Sequence, residues 1–417
     1  MARIGFTSAA AFMLFALSLF PAGAPAATKT AYIGGSMALT GAYSQDVAAL
    51  LAGFEDYVRY VNERKSLAPW LTEKFPADVN LELLWRDDEL KPAKALTIYE
   101  ELKAKGMLVF RVSGSPQALA LKDKLKEDSM GTTTFASGPF LLKPPGTILT
   151  YLPLYTDSLA GVADWFKENW KEARKPRVAY LTADNAMGKA IEVPEMQAYL
   201  KQIGYDFVGI QYVPVVATAP PTTQLMWLKE KGVDLALGVM ILPGAQPTVK
   251  EMVRLGMGPH LEVKMTFACP NTTQVTDFAE AMGDLGVGFA AAASCPPWSD
   301  LATPGVRFAN DLQNKYRQNK RVANITYEEG IIEAMTQTEA LRLAMKETPF
   351  EKLTRADVLN NGFYKIRNLD TGGLASTPLT YGPGKVEGVD KVRIYQVQKG
   401  GSIVKLGLWP CRHIYTK

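Results

Sequence analysis

Short apolar runs alternate along the chain with longer segments in which apolar residues recur every three or four positions. The first run covers residues 30–34, and the segment at 47–63 that follows places Leu50, Phe54 and Val61 on one face of a helix. Runs of the first kind predict buried strands, and segments of the second kind predict helices that pack on them. The alternation therefore predicts an α/β fold with mainly parallel sheets.

The alternation falls into two successive series, the second starting near Tyr151. Further strands are predicted at 79–86, 107–112, 177–181, 207–212, 233–239, 264–268 and 287–292. Further helices are predicted at 92–105, 115–127, 158–170, 188–203, 222–231, 246–255, 273–282, 306–319 and 326–346, and a closing hairpin at 392–397 and 402–408. Ser115 is the predicted N-cap of its helix, with Pro116 in the first turn. No long Gly/Ser linker separates the series, so we expect two lobes joined by several crossing strands.

The first residues have the order of segments found in an export signal. Arg3 is followed by an apolar run at 9–20 and by small residues at Ala24-Pro25-Ala26. Pro21 and Gly23 interrupt the run before it reaches the roughly 20 apolar residues that a membrane span needs. We therefore expect residues 1–26 to be a signal peptide cleaved near Ala26, and the mature protein to be soluble in the periplasm.

Composition narrows the classes of protein that remain. The 417 residues are enough for two or three domains, and 46 basic against 42 acidic residues give a net charge of only +4. So weak an excess of positive charge makes nucleic acid an unfavourable partner. Cys269, Cys295 and Cys411 permit either one disulfide, with Cys269 paired to Cys295, or buried free thiols, and the sequence leaves both open.

Catalytic and metal-binding patterns are missing from the sequence. Only His260 and His413 are available, and the chain has no metal-binding spacing, no GxSxG elbow and no phosphate-binding glycine motif. We therefore expect no metal, no cofactor and no enzymatic activity. An extracytoplasmic hydrolase that uses one of the two histidines is the enzymatic alternative.

Three strand-to-helix turns offer polar groups where α/β folds bind small molecules, at 39–44, 113–116 and 135–139. Ser113, Ser115 and Ser137 supply hydroxyls near helix starts, which suit an anionic or polar ligand group. Tyr43 lies in a turn rather than on an apolar face, and Trp85 lies at a strand end. These residues predict a small-molecule site.

Several motifs in order along the chain resemble one family, the extracytoplasmic solute-binding proteins of branched-chain amino acid ABC transporters. The motifs are Leu39-Thr40-Gly41, Asp87-Asp88 with Pro92, Ser113 to Gln117, Ala136 to Pro139, Asp184 to Gly188, and Tyr327. The resemblance implies the two-lobed type I periplasmic binding protein fold, in which each lobe is a mainly parallel sheet flanked by helices and three crossover strands join the lobes. It places the N-terminal lobe at 27–152 and 296–380 and the C-terminal lobe at 153–295 and 381–417.

The same resemblance implies that the protein binds a solute by hinge closure and presents it to an ABC permease in the inner membrane. We expect it to act as a monomer. A ligand-sensing domain for a signalling receptor is an alternative on the same fold.

By position, the resemblance assigns Ser113 to the ligand carboxylate, Phe135 and Ser137 to backbone contacts, and Met187 and Ile241 to sites that are often aromatic. The full candidate set is Tyr43, Trp85, Ser113, Ser115, Phe135, Ala136, Ser137, Met187, Ile241, Cys269 and Pro270.

The stretch at 267–271 has no acidic residue where the family's amino-acid binders pair with the α-ammonium group. A buried ammonium without a counter-charge is costly. We therefore expect a solute with a carboxylate or amide head and an apolar or aromatic body. A branched-chain amino acid is the alternative, and it would require Asp46 or Asp184 to reach the site.

Overall fold

The computed structural model describes residues 1–2, 28–318, 320–322 and 324–415. Residues 3–26 of the predicted signal peptide lie outside this part of the chain. Across the described ranges, none of the helices combines the length and the apolar character needed to cross a bilayer.

Twelve strands and twelve α-helices are formed by the described residues. The strands are β1 Lys29–Met37, β2 Val79–Asp87, β3 Val109–Val112, β4 Thr132–Thr133, β5 Ile148–Leu149, β6 Arg177–Ala183, β7 Asp206–Val213, β8 Leu235–Leu237, β9 Thr266–Cys269, β10 Ala290–Ala293, β11 Lys391–Val397 and β12 Ile403–Pro410. The helices are α1 Ser44–Arg64, α2 Pro92–Ala104, α3 Ser115–Glu127, α4 Pro139–Leu142, α5 Tyr155–Glu168, α6 Pro194–Gln202, α7 Thr222–Glu230, α8 Leu242–Arg254, α9 Val275–Met282, α10 Pro304–Tyr316, α11 Thr326–Glu347 and α12 Arg355–Asp357.

The strands form two separate sheets, and the predicted α/β class is confirmed. The first sheet has the order β2-β1-β3-β4-β5, and its pairs are parallel. The second has the order β12-β11-β10-β9-β8-β6-β7, and it is parallel from β10 to β7. The hairpin of β11 and β12 is antiparallel, as predicted, and extends this sheet at one edge.

The chain passes three times between the two sheets: after β5, after β10 and before β11. Two of these passages pair with each other, because the Thr150 N–H donates to the Val386 carbonyl at 2.9 Å and the Gly388 N–H donates to the Thr150 carbonyl at 2.7 Å. Three crossings are what the predicted fold requires.

Helices α1 and α11 pack closely against each other on the side of the first sheet. A Cβ atom at Gly53 would lie 1.9 Å from the Tyr327 carbonyl oxygen, and one at Gly330 would lie 2.0 Å from the Leu50 carbonyl oxygen. Only glycine permits this contact between backbones. Because α11 packs on α1, the part of the chain that follows β10 lies beside the first sheet again.

We therefore expect Gly330→Ala to lower the free energy of unfolding by about 3 kcal/mol, since overpacking forces the two helices apart. Gly384→Ala is the matched control, because a Cβ there meets no atom within 4 Å. Urea unfolding followed by circular dichroism measures both changes. Equal unfolding midpoints for the two variants would contradict the close packing.

Two local predictions need correction. The helix predicted at 188–203 is a 3₁₀ turn, Gly188–Ile191, followed by α6, because Pro194 has no N–H to continue the first segment and instead begins a new helix. Gly114, with φ of 64°, occupies the N-cap of α3, so Ser115 is the first helical residue and not the cap.

The sequence left open whether Cys269 and Cys295 are paired, and in the structure all three cysteines are buried free thiols. The two residues belong to different apolar clusters: Cys269 packs with the second sheet and Cys295 with the first. Buried thiols were the alternative that the sequence left open.

Candidate functional site

A narrow cavity lies between the two sheets, where the loops at the carboxyl ends of their strands face each other. The space between its atoms amounts to about 370 Å³, part of it open to solvent. Its lining consists of Tyr43, Asp46, Gly114, Ser115, Phe135, Ala136, Tyr155, Met187, Ile241, Asn271, Thr272 and Gln274. A site at the carboxyl ends of parallel strands is where open α/β sheets bind ligands.

Both sheets supply the wall. From the first sheet, Ser115 begins α3 directly after β3, and Phe135 follows β4. From the second, Met187 follows β6, Ile241 precedes α8, and the 3₁₀ turn Asn271–Thr273 follows β9. The cavity is therefore a seam between two bodies and not a pocket within one.

Six of the predicted site residues lie in this wall: Tyr43, Ser115, Phe135, Ala136, Met187 and Ile241. The structure brings them together from sequence positions almost 200 residues apart. Five others do not line the cavity: Trp85, Ser113, Ser137, Cys269 and Pro270.

Ser113 is fully buried behind the wall, and its hydroxyl already has partners. It accepts from the Ala38 N–H at 3.1 Å, donates to the Ser36 carbonyl at 3.2 Å and contacts the Arg111 guanidinium. These bonds join the end of β3 to the end of β1. The structure therefore gives Ser113 a structural position and leaves Ser115 as the serine that faces the seam.

The other residues outside the wall are held back by their own elements. Trp85 lies in edge strand β2 and packs, half-buried, against the apolar cluster that contains Tyr43 and Met187. Cys269 is fully buried as the last residue of β9, and the wall begins only two residues later, at Asn271. Ser137 is fully buried beneath the wall, where its carbonyl accepts from the Tyr155 N–H at 3.0 Å.

Several buried polar atoms at the seam have no hydrogen-bond partner among the described residues. They include the hydroxyls of Ser115 and Ser137, the Asn271 Nδ2 and the Gln274 Oε1. The Tyr155 hydroxyl lies near both serine hydroxyls but outside hydrogen-bond geometry. Because an unpaired buried polar group costs free energy, the three of these residues that line the cavity, Ser115, Asn271 and Gln274, favour a polar ligand group that would complete their hydrogen bonds.

Helix α3 adds backbone donors beside Ser115. The Ala118 N–H is bonded to the Gly114 carbonyl at 3.1 Å, so the N–H groups of Ser115 and Gln117 lie before the first helical hydrogen bond, and Pro116 has no N–H. The amino end of a helix also carries a partial positive charge. This side of the wall therefore suits a carboxylate or another hydrogen-bond acceptor.

The Asp46 carboxylate lines another part of the wall. The sequence analysis named Asp46 only as a residue that an amino-acid ligand would require. Asp46 lies in the first turn of α1 and accepts a 3.3 Å hydrogen bond from the Asn324 Nδ2. Burial raises the pKa of Asp46 to about 6, so it remains mainly ionised at neutral pH. Asp46 therefore reaches the cavity, which is the condition that the sequence analysis set for an amino-acid ligand.

More carboxyl groups lie near Asp46. Burial, together with the charge of Asp46, raises the pKa of Asp277 to about 7. Burial raises the pKa of Glu329 to about 7, and it raises the pKa of Glu328 well above its usual range. Acidic groups from α1, α9 and α11 thus converge beside the seam.

A buried positive charge lies next to the Phe135 ring. Arg111 is fully buried and forms an ion pair with Glu333 at 3.2 Å. Its guanidinium lies 5.1 Å from the centre of the Phe135 ring. The site therefore combines donors and a buried cation near the first sheet with a carboxylate from α1.

The two sides of the seam touch in this structure. The Tyr43 hydroxyl lies 3.7 Å from the Met187 sulfur, in a contact between the first and second bodies. A wider opening adjoins the cavity through Asp46, and its lining includes Gln45, Asp277 and Glu280. The cavity is thus narrow, and its mouth is acidic.

Tyr155, Asn271, Thr272 and Gln274 are wall residues that the sequence analysis missed. The polar run at 271–274 follows directly on the apolar strand β9, which was a usable signal. Nothing local distinguishes Tyr155, whose ring reaches the seam from the start of α5. Over the described ranges, no three His, Cys, Asp or Glu side chains are grouped so as to hold a metal ion.

Solved structures with the same fold cover almost the whole chain. A branched-chain amino acid ABC transporter protein from Thermus thermophilus, solved with bound valine, is 22% identical, with a TM-score of 0.77 over 93% of this chain and 97% of that one. An ABC transporter solute-binding protein from Rhodopseudomonas palustris BisB5, in complex with 3,4-dihydroxybenzoic acid, is 17% identical, with a TM-score of 0.70 over 92% and 98%. A fatty acid ABC transporter substrate-binding protein from Thermomonospora curvata is 19% identical, with a TM-score of 0.75 over 93% and 95%.

The comparison with curated proteins found no significant match. The sequence does match a family model, described as periplasmic binding protein, over residues 30–402. This span includes both sheets except Lys29 of β1 and the whole of β12, and it includes every residue of the cavity wall. The chain therefore belongs to the periplasmic binding protein family, whose members bind solutes and are not enzymes, and it has the two-lobed type I fold.

Proposed function

We propose that this protein captures a small organic solute in the periplasm and delivers it to an ABC permease in the inner membrane. Its family supports the solute-binding role, and structural neighbours described as ABC transporter components support the permease as partner. The proposal includes removal of the signal peptide near Ala26 and action as a monomer.

We assign the N-terminal lobe to residues 27–152 and 296–380 and the C-terminal lobe to 153–295 and 381–417. The distribution of the strands supports this division, since β1 to β5 belong to one sheet and β6 to β12 to the other. The packing of α11 on α1 supports the return of the late helices to the first lobe.

The ligand that this cavity suits best has a carboxylate or amide head and an apolar or aromatic body. One observation carries this assignment: the unpartnered Ser115 hydroxyl, at the start of α3, lines the same cavity as the apolar side chains of Met187 and Ile241. The head would accept hydrogen bonds from Ser115 and the first turn of α3, and the body would pack on the two apolar side chains. The neighbour solved with 3,4-dihydroxybenzoic acid supports this ligand class.

An α-amino acid is the second candidate, and Asp46 is the observation that favours it. Its carboxylate lines the cavity and would provide the counter-charge for an ammonium group. The neighbour with bound valine supports this alternative. Asp46 thus replaces the acidic residue that is missing from 267–271.

Ligand binding would act on the equilibrium between open and closed lobes. A ligand shifts this equilibrium only by the contacts that it makes in the closed state and not in the open one. Because Tyr43 and Met187 come from opposite sides of the seam, a ligand between them would bridge the lobes.

Isothermal titration calorimetry of the mature protein tests the ligand class. The panel contains benzoate, 4-methylpentanoate, leucine and valine. We expect Ser115→Ala to weaken the binding of the preferred ligand about tenfold, the value of one hydrogen bond to a charged group. Ser299→Ala is the control, because Ser299 is exposed and lies outside the wall. Equal affinities for the two variants would contradict the role of Ser115, and binding of leucine or valine alone would favour the second candidate.

A further inference from the structure

A second cavity lies in the C-terminal lobe, between α8, β9 and the 3₁₀ turn Gly283–Gly286. The space between its atoms amounts to about 660 Å³, part of it open to solvent, and among the described residues it shares no lining residue with the cavity at the seam. Its inner wall is apolar and at most 5% exposed: Val249, Met252, Met257, Met265, Phe267 and Phe289. A concave and mainly apolar wall is typical of small-molecule sites.

Backbone hydrogen bonds hold the loop of residues 256–263 on one side of this cavity. The Gly258 N–H donates to the Val263 carbonyl, and the Val263 N–H donates to the Gly256 carbonyl, both at 2.9 Å. Gly288, with φ of 88°, lets Pro259 approach so closely that a Cβ would lie 2.4 Å from its ring. Contacts within the lobe therefore hold this side of the cavity in place.

The opposite side is fixed in a similar way. The Asp284 Oδ1 accepts a 2.7 Å hydrogen bond from the Gly400 N–H, which ties the turn to the loop between β11 and β12. The Phe267 and Phe289 rings pack edge to face, with their centres 5.6 Å apart. The cavity thus needs little rearrangement before it binds, which lowers the cost of association.

The rim carries exposed apolar side chains and one free polar ring. Leu261 is 39% exposed and Leu285 is 43% exposed, although both are large apolar residues. His260 is exposed beside Leu261, and its ring can donate a hydrogen bond to an acidic or carbonyl oxygen. Three methionines in the inner wall can adapt to ligands of different shape.

We propose that this cavity is a second ligand site, which binds an amphipathic small molecule with an aromatic or short acyl body and one acidic end. The body occupies the space between the methionines and the two phenylalanines. The acidic end lies at the rim and accepts a hydrogen bond from His260.

Fluorescence titration with 1-anilinonaphthalene-8-sulfonate tests this site, because the probe combines an aromatic body with one anionic group. We expect saturable binding to the mature protein. Val253→Trp, at the half-buried edge of the cavity, fills it and weakens binding at least tenfold. Val216→Trp is the control, because Val216 is 46% exposed and lies outside the wall.

Two further variants keep the result clear if Val253→Trp does not fold. Leu285→Glu places a charge at the exposed rim without changing the core and should also weaken binding at least tenfold, and His260→Ala should weaken it about fivefold.

Met187→Trp fills the seam and should leave probe binding unchanged. Loss of binding in Met187→Trp, or full binding in Leu285→Glu, would overturn the second site. So would a dimer in size-exclusion chromatography that Leu285→Glu dissociates, because a second copy would then cover the cavity.

Discussion

Asp46→Asn is expected to weaken the binding of leucine about a hundredfold and to strengthen the binding of 4-methylpentanoate, which lacks only the amino group. The Asp46 carboxylate lines the cavity and is mainly ionised at neutral pH, with its pKa near 6. Removing one partner of a desolvated charge pair costs about 2 to 5 kcal/mol, which includes the hundredfold change. For the acid without an amino group, the same substitution removes a repulsive charge.

Calorimetry with the two matched ligands measures both effects. Asp206→Asn is the control, because Asp206 is exposed at the start of β7 and lies outside the cavity. Opposite changes for the two ligands would confirm that the Asp46 carboxylate pairs with the ammonium group. If both ligands change in the same direction, the carboxylate does not face the ligand as we propose.

The protein is expected to become more stable as the pH falls from 8 to 5. Burial raises the pKa of Asp277 and of Glu329 to about 7, above the ordinary values of 3.8 and 4.5 for the unfolded chain. Between these values the folded state binds more protons than the unfolded state, so stability falls as the pH rises through about 7. For Glu329 alone the difference amounts to about 3 kcal/mol at pH 8, because one pKa unit corresponds to about 1.4 kcal/mol.

Glu329→Gln separates this effect from other titrations. The variant removes the charge while it keeps an acceptor for the Ser294 hydroxyl, which donates to Glu329. We expect it to unfold at a higher urea concentration than the native protein at pH 8 and at a similar concentration at pH 5. Glu347→Gln, exposed at the end of the same helix, should change neither value. A native protein that is less stable at pH 5 than at pH 8 would contradict the sign of this prediction.

Part of the cavity wall was predicted from the sequence. The turns after β1, β3 and β4 were predicted from their position at strand ends, and each contributes to the cavity. Within the turn after β3, however, only one of the two predicted serines lines the cavity. Ser113 bonds to the end of β1, and Ser115 faces the seam. The direction of each side chain depends on the backbone of a neighbouring strand that is distant in sequence.

The wall supplied by β9 shows the same limit. Cys269 and Pro270 were the predicted contacts, whereas Asn271, Thr272 and Gln274 line the cavity. A shift of two residues along the chain was enough to move the prediction from the buried end of the strand to its polar turn. Alignment by motif cannot fix such a shift, because it does not show where the strand ends.

The sequence by itself determined the α/β class, the order of the longer helices and strands, and three of the turns that line the cavity. These properties depend on the local spacing of apolar residues, which is set by the periods of helices and strands. Only the tertiary structure decided that the cysteines are unpaired, that Asp46 reaches the cavity and that buried acids converge beside it. Those properties depend on contacts between residues far apart in the chain, and burial by such contacts sets both the direction of a side chain and the pKa of its charge.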